Sequence, residues 1–303
     1  MFFSLPSSAS VHQATPPRES GLTAASRQRL QQRLGQEIVS CQPLSGGDIS
    51  QAYQVVLKDR SELFVKLKAQ APPGFFEAEA RGLEWLRQTR VLRIPEVVAV
   101  APDFLVLEYL QSASKSSDFE ESLGRGLAQL HRCSWPTFGL DHDNYIGLLA
   151  QSNQPCDSWP QFFVQHRLHP LLELALRQGK APAHWARRFE RLYRGLPQIL
   201  TEEPPARLHG DLWAGNLLVG PQGQPCLIDP AVYAGHREVD LAMMRLFGGF
   251  GPRVFQAYQE DFPLAAGAAE RVPLFQLYPL LVHVNLFGGS YLASVESALQ
   301  KLP

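Results

Sequence analysis

The sequence predicts an α+β protein in two unequal lobes, a small antiparallel sheet with a helix followed by a mostly helical remainder. Three observations carry that expectation. Alternating apolar runs joined by short turns fill residues 38–110. Beyond residue 117 the apolar period lengthens to that of amphipathic helices. Between residues 208 and 231, short apolar runs end in closely spaced polar residues, as buried strands do when side chains are displayed from their tips.

The elements follow in order. Residues 1–20, with Pro6, Pro16 and Pro17 among Ser and Ala, read as a mobile extension. The first lobe is expected over residues 21–110. Thr23 can cap a helix that carries Leu30 and Leu34 on one face, and Gly35 can end it. Ile38-Val39 and Ala52–Leu57 read as strands around the loop Ser45-Gly46-Gly47-Asp48. Lys58–Ser61 is a hairpin turn, and Glu62–Leu67 is the returning strand. In that strand Phe64 and Lys66 share a face opposite Val65. Pro72-Pro73-Gly74 breaks the chain before a helix over 75–89, from which Glu77 and Glu79 project. Two further strands, Ile94–Val100 and Phe104–Leu110, flank a Pro102-Asp103 turn. The polar stretch after residue 110 marks the expected boundary, and the second lobe covers 111–303.

Helices are expected there over 119–132, 161–178 and 183–200, from residue 235 onward, over 254–258 and 274–286, and at the C-terminus. His131 reads as a packed residue. Asp141-His142-Asp143 reads as a surface turn, because three adjacent side chains do not readily converge on one ion. Asp240, near a helix start, can bond back to the segment around residue 210.

Composition narrows the functional classes. The 303 residues are 45% hydrophobic, which supports a sizeable core. A net charge of −1 with dispersed Lys and Arg argues against a nucleic-acid partner. Cys41, Cys133, Cys156 and Cys226 are widely spaced, without a CxxC pair, which fits a reducing cytoplasm rather than a zinc or disulfide framework. No run is long and apolar enough for a membrane span, and the N-terminus lacks a basic segment before an apolar one, so neither a membrane nor secretion is expected.

The chemistry concentrates at His209-Gly210-Asp211-Leu212-Trp213-Ala214-Gly215-Asn216 and at Asp229. The spacing His-x-Asp-x-x-x-x-Asn, with a second aspartate after a later strand, is that of a phosphoryl-transfer catalytic loop, with Gly210 in place of an arginine. In that pattern Asp211 accepts the proton of an attacking hydroxyl, and Asn216 and Asp229 offer hard oxygen ligands suited to Mg²⁺. Upstream, Lys66, Glu79 and the Gly46-Gly47 loop occur in the order a two-lobed ATP-dependent kinase requires. Taken alone, the glycine loop is an ordinary turn and Lys66 a solvated strand lysine. Together with the central stretch they complete a nucleotide site. The strand end at Leu107, Glu108 and Tyr109 can present backbone groups to an adenine ring.

The chain resembles the fructosamine kinase (ketosamine kinase) family, related to the aminoglycoside and choline phosphotransferases. The resemblance runs from about residue 20 to the C-terminus. It is carried by Leu44-Ser45-Gly46-Gly47, Phe64-Val65-Lys66, Phe76–Ala80, His209–Asn216, Leu246–Phe250, the tail segments Gln276–Tyr278 and Asn285–Gly289, and above all Asp229-Pro230-Ala231-Val232-Tyr233-Ala234-Gly235-His236-Arg237-Glu238-Val239-Asp240. It implies a protein-kinase-like fold and transfer of the γ-phosphate of ATP to a sugar hydroxyl of a ketosamine, the 3-hydroxyl in the best-known members. The phosphorylated adduct then breaks down and frees the amine, a deglycation. By the motif match Asp211 is the base, Asn216 and Asp229 hold Mg²⁺, and Lys66 paired with Glu79 holds the phosphates. His236, Arg237 and Glu238 would shape the substrate side. The resemblance leaves open which sugar is taken and whether the amine is a small molecule or a glycated protein lysine. Two other readings stand beside it: a hydroxyl phosphotransferase of aminoglycoside or choline type, and a non-catalytic nucleotide-binding protein on the same fold. Asp48, in the glycine loop, departs from what phosphate binding favours.

Overall fold

The structure is a computed structural model that describes residues 22–45 and 49–303. The expected N-terminal extension, and Gly46, Gly47 and Asp48, lie outside the described residues. Helix α1 (Ala24–Leu34) starts where the Thr23 hydroxyl accepts the Ser26 N–H at 3.1 Å, and it stops at Gly35, whose φ is 67°.

The first lobe is built on five antiparallel strands: β1 (Ile38–Leu44), β2 (Gln51–Leu57), β3 (Glu62–Leu67), β4 (Val97–Ala101) and β5 (Phe104–Glu108), in spatial order β1-β2-β3-β5-β4. Helix α2 (Phe75–Arg87) lies between β3 and β4 in sequence. Alternation divides the sheet into two faces. Tyr53, Val55, Leu57, Leu63, Val65, Leu67 and Val106 pack together with Leu30 of α1. Phe64, Leu105 and Leu107 pack on the opposite side with Phe76 and Leu83 of α2. Lys66 is therefore turned toward α2, and Glu79 projects from that helix to meet it. Strand β4 begins three residues later than its apolar run, because Pro95 has no N–H to give to a ladder.

The second lobe contains α3 (Phe119–Arg132), the hairpin β6 (Asn144–Ile146) and β7 (Leu149–Gln151), α4 (Trp159–Phe163), α5 (His169–Arg177) and α6 (Trp185–Ile199). Four short strands follow: β8 (Ala206–Leu208), β9 (Leu217–Val219), β10 (Pro225–Leu227) and β11 (Tyr233–Gly235). The lobe ends in α7 (Glu238–Phe247), α8 (Pro252–Asp261), α9 (Ala268–Phe287) and α10 (Leu292–Gln300). Among the described residues no helix is long and apolar enough to cross a membrane.

Two stretches differ from the expected helices. The run expected over 161–178 is helical but contains a π turn, Val164–Leu168, between α4 and α5. Pro170 supplies no N–H to the His166 carbonyl, and the Arg167 Nη1 donates to that carbonyl instead, at 2.8 Å. Helix α9 begins at Ala268 rather than 274, with Pro273 accommodated in its second turn.

The lobes are joined by one apolar cluster that runs from Leu105 and Leu107 of the sheet, through Phe76 and Leu83 of α2, to Leu127 of α3 and Leu241 of α7. A backbone bond adds to this: the Leu227 N–H donates to the Arg93 carbonyl at 3.0 Å. These contacts hold the lysine of the first lobe over the turns of the second.

Candidate active site

Strands β8 and β11 pair antiparallel, Leu208 opposite Tyr233, and β9 pairs with β10, Leu217 opposite Leu227. The chain leaves β8 into His209-Gly210-Asp211, forms a 3₁₀ turn over Ala214–Asn216, and leaves β10 into Ile228-Asp229. The polar residues thus stand in turns at the ends of short strands. Gly210 has φ 81°, and a Cβ there would collide with the Ala231 carbonyl oxygen. This is why glycine stands at a position where the kinase pattern has arginine: the Asp229–Ala231 segment passes too close for a side chain.

Asn216 Nδ2 donates to the Asp211 backbone carbonyl at 2.8 Å, to Asp211 Oδ2 at 3.1 Å and to the Asp229 carbonyl at 3.3 Å. That commits the amide nitrogen inward and leaves the amide oxygen as the atom that could hold a cation. Asp229 adopts φ 54°, a left-handed conformation uncommon for a side-chain-bearing residue. Its Oδ1 lies 2.5 Å from Lys66 Nζ, which also meets Glu79 Oε1 at 2.6 Å. Lysine, glutamate and aspartate from β3, α2 and the turn after β10 therefore converge. Burial opposes a charged Lys66, but Asp229 and Glu79 outweigh it and raise its pKa. Burial also raises Glu79, against the pull of Lys66. Burial pushes the Asp211 carboxyl up to about 7, with Asn216 pulling it down and the negative Asp229 and Asp240 adding to the rise. The donor set, one carboxylate partly open to the cleft and one amide oxygen, fits a hard cation that keeps waters and takes phosphate oxygens as further ligands.

Asp240, in the first turn of α7 and fully buried, holds the loop from behind. Its Oδ2 accepts the His209 N–H at 2.8 Å and meets His131 Nε2 at 3.2 Å, and its Oδ1 accepts the Gly210 N–H at 2.9 Å. Burial would raise its pKa, but His131, His209 and the Gly210 N–H prevail and lower it. His209 is kept neutral by burial, with Nε2 donating to the Ile228 carbonyl at 2.9 Å and Nδ1 accepting the Asp211 N–H at 3.3 Å. The expected bond from Asp240 back to this loop is present, and His131 is packed, bonded also to the Tyr258 hydroxyl.

Leu107 is buried in the sheet, opposite Phe64 and Val97. Glu108 is paired with Arg93, and its Oε2 accepts the Glu96 N–H at 3.2 Å. Tyr109 follows and lines a surface hollow with Arg60, Glu62, Gln111 and Pro221.

His236, Arg237 and Glu238, expected to shape the substrate side, are buried and engaged within the protein. They are 1%, 4% and 4% exposed. Arg237 donates to both oxygens of Glu203, at 2.7 and 2.8 Å, and Arg271 donates to both oxygens of Glu238, at 3.0 and 2.6 Å. His236 stacks on Phe275 with ring centroids 4.9 Å apart. Glu203, His236 and Glu238 are close enough to share a cation, but the two guanidiniums occupy both carboxylates. These residues are an anchor for the start of α7. Their partners Glu203 and Arg271 lie 34 and 33 residues away, and local spacing does not reveal them.

Burial lowers the His236 pKa to about 4, while an unfolded histidine takes its proton near 6.5. Below pH 6.5 the unfolded chain binds a proton that the folded chain refuses, so stability falls with acid until the folded pKa is reached. Urea denaturation at pH 7 and pH 4.5 is expected to show His236→Phe losing about 2 kcal/mol less than the wild type across this interval. Equal losses in both would show that His236 does not carry the effect.

Sheet lobe, helical lobe and the convergence of lysine, glutamate, aspartates and asparagine between them define an ATP-dependent phosphotransferase of protein-kinase-like fold. The fructosamine kinase family model matches residues 22–303, and the chain belongs to that family. A probable ketoamine kinase of Thermus thermophilus is 39% identical over 259 residues, covering 85% of this chain and 92% of its own length. One from Lactiplantibacillus plantarum is 38% identical over 275 residues, covering 88% and 95%. The crystal structure of a fructosamine-3-kinase candidate from Thermobifida fusca superposes with a TM-score of 0.85 at 37% identity, over 91% of this chain and 97% of that one. An aminoglycoside phosphotransferase in complex with gentamicin has a TM-score of 0.62 at 17% identity, over 92% and 95%, and shares the fold.

Proposed function

We propose that the chain transfers the γ-phosphate of ATP to a sugar hydroxyl of ketosamines, the 3-hydroxyl, and thereby starts removal of the sugar from a glycated amine. Membership of the family and the names of the relatives support the substrate class. One structural observation carries the chemistry: a half-buried carboxylate, Asp211, shares the Asn216 amide with the Asp229 turn, where Lys66 and Glu79 converge. In this reading Asp211 orients the acceptor hydroxyl and takes its proton as the new O–P bond forms. Lys66, held by Glu79, pairs with nucleotide phosphates. Asn216 and Asp229 would hold Mg²⁺, which when bound neutralises charge developing on the phosphates. Asp240 keeps the Asp211 loop in place through two backbone N–H groups. The backbone of Leu107–Tyr109 is the proposed edge against the adenine.

The test is an ADP-release assay with Mg²⁺ and a panel of ketosamines built on fructose, ribulose and erythrulose, each as a free amino acid adduct and on a protein lysine. Release of ADP that depends on a ketosamine is expected, with phosphate on the third sugar carbon by NMR. Turnover of aminoglycosides or choline but of no ketosamine would overturn the substrate class. Nucleotide binding without any turnover would overturn the enzyme reading.

A further inference from the structure

The hairpin β6–β7 lies outside the nucleotide and catalytic turns, yet its side chains grip the segment that follows Asp229. Asn144 Nδ2 donates to the Val232 carbonyl at 2.8 Å. Gln151 Nε2 donates to the Ala231 carbonyl at 3.2 Å and to Asn144 Oδ1 at 2.7 Å. Both residues are buried, at 5% and 4% exposure. Each amide is in turn fixed from behind. The Tyr278 hydroxyl of α9 donates to Gln151 Oε1. Asn153 Nδ2 donates to Asn144 Oδ1 at 3.1 Å, and Arg167 Nη2 donates to Asn153 Oδ1 at 2.6 Å. Arg167 comes from the π turn and lies 3.8 Å over the Tyr233 ring, so Ala231, Val232 and Tyr233 are all held.

We propose that Asn144 and Gln151 are positioning residues for the metal-binding turn, holding Asp229 in its left-handed conformation through the two carbonyls that follow it. This inference rests on the proposed role of Asp229. Three observations favour it over a purely structural role. The gripped carbonyls are two and three residues from Asp229, whose φ of 54° needs support from its surroundings. The Ala231 carbonyl that Gln151 holds is the one packed against Gly210, and the Ala231 N–H donates to the His209 carbonyl at 3.0 Å. One amide thus sets the Asp229 turn and the Asp211 loop together. The network is also connected from Arg167 and Tyr278 to the two carbonyls, which fixes both amide orientations.

The experiment measures Mn²⁺ binding by electron paramagnetic resonance, in the presence of ADP, for the wild type, Gln151→Leu, Gln151→Glu and Asn285→Leu. Gln151→Leu removes the donor. Gln151→Glu keeps the volume and the acceptor for Tyr278 but turns oxygen toward oxygen, so one of the two remains informative if the other misfolds. Asn285→Leu is the stability control: it loses two buried bonds, to the Leu171 and Leu281 carbonyls, within the helical lobe. Both Gln151 variants are expected to bind Mn²⁺ about tenfold more weakly, while Asn285→Leu lowers the melting temperature and leaves Mn²⁺ affinity unchanged. Wild-type affinity in the folded Gln151 variants, or affinity that follows melting temperature across all variants, overturns the positioning role. If the wild type itself does not bind Mn²⁺ with ADP, the reading of Asp229 falls and this inference with it.

Discussion

Asp211→Asn is expected to lower turnover by about 10²–10⁴-fold, the usual worth of a positioned proton acceptor. The substitution preserves shape, and the Asn216 amide keeps its bond to the residue 211 backbone carbonyl, so the loop geometry should persist. What is lost is the carboxylate. An amide cannot take the acceptor's proton, and the proposed ground-state contacts of the nucleotide are with Lys66, Asn216 and Asp229 rather than with this side chain. The fall should therefore appear in kcat, with KM for ATP little changed. Steady-state kinetics with a ketosamine acceptor check this. A variant that turns over within a few-fold of the wild type would remove Asp211 from the role of base. A matched rise in KM for ATP would place it in nucleotide binding instead.

The second large effect is expected at Asp240. Asp240→Ala should cost about 3–5 kcal/mol of stability, because a buried charged partner is removed and the groups it served stay buried. The N–H groups of His209 and Gly210 lose their acceptor, and the His131 ring loses its contact with Oδ2. Each orphaned buried donor alone costs on the order of 1–3 kcal/mol. Activity should fall as well, since those N–H groups belong to the two residues before Asp211. Asp240→Asn should be milder, because one amide oxygen remains to accept one of the two bonds. Chemical denaturation at pH 7, paired with turnover under stabilising conditions, measures both effects. A cost below about 1 kcal/mol for Asp240→Ala would mean that water or another group takes over the two donors.

Much of the site was legible in the order and spacing of residues. The His209–Asn216 interval is short, and a turn between two short strands forces its polar side chains onto one side. The alternation through Phe64, Val65 and Lys66 assigned Lys66 a face, and Glu79 could be matched to it as an inward residue of the following helix. Both pairings are observed. His236, Arg237 and Glu238 show what such reading leaves out. The resemblance assigned them to the substrate side, but it did not reveal their burial or their two arginine–carboxylate pairs. Asn144, Gln151, Arg167 and Tyr278 carried no local signal at all. Amide and phenol side chains on a hairpin and on apolar helices read as surface or packing residues until their partners are known.

The sequence by itself determined the α+β class, the sheet-then-helix order, the capped first helix and the residues that converge in the cleft. Those features depend on apolar periodicity, turn chemistry and short fixed intervals, all properties of a local stretch of chain. The tertiary structure alone decided which polar residues hold the catalytic turns. Arg271 reaches Glu238 across 33 positions, Gln151 reaches Ala231 across 80 and Asn144 reaches Val232 across 88. Buried amides and guanidiniums must find partners wherever packing brings them, and packing joins segments whose separation in sequence carries no trace of the contact.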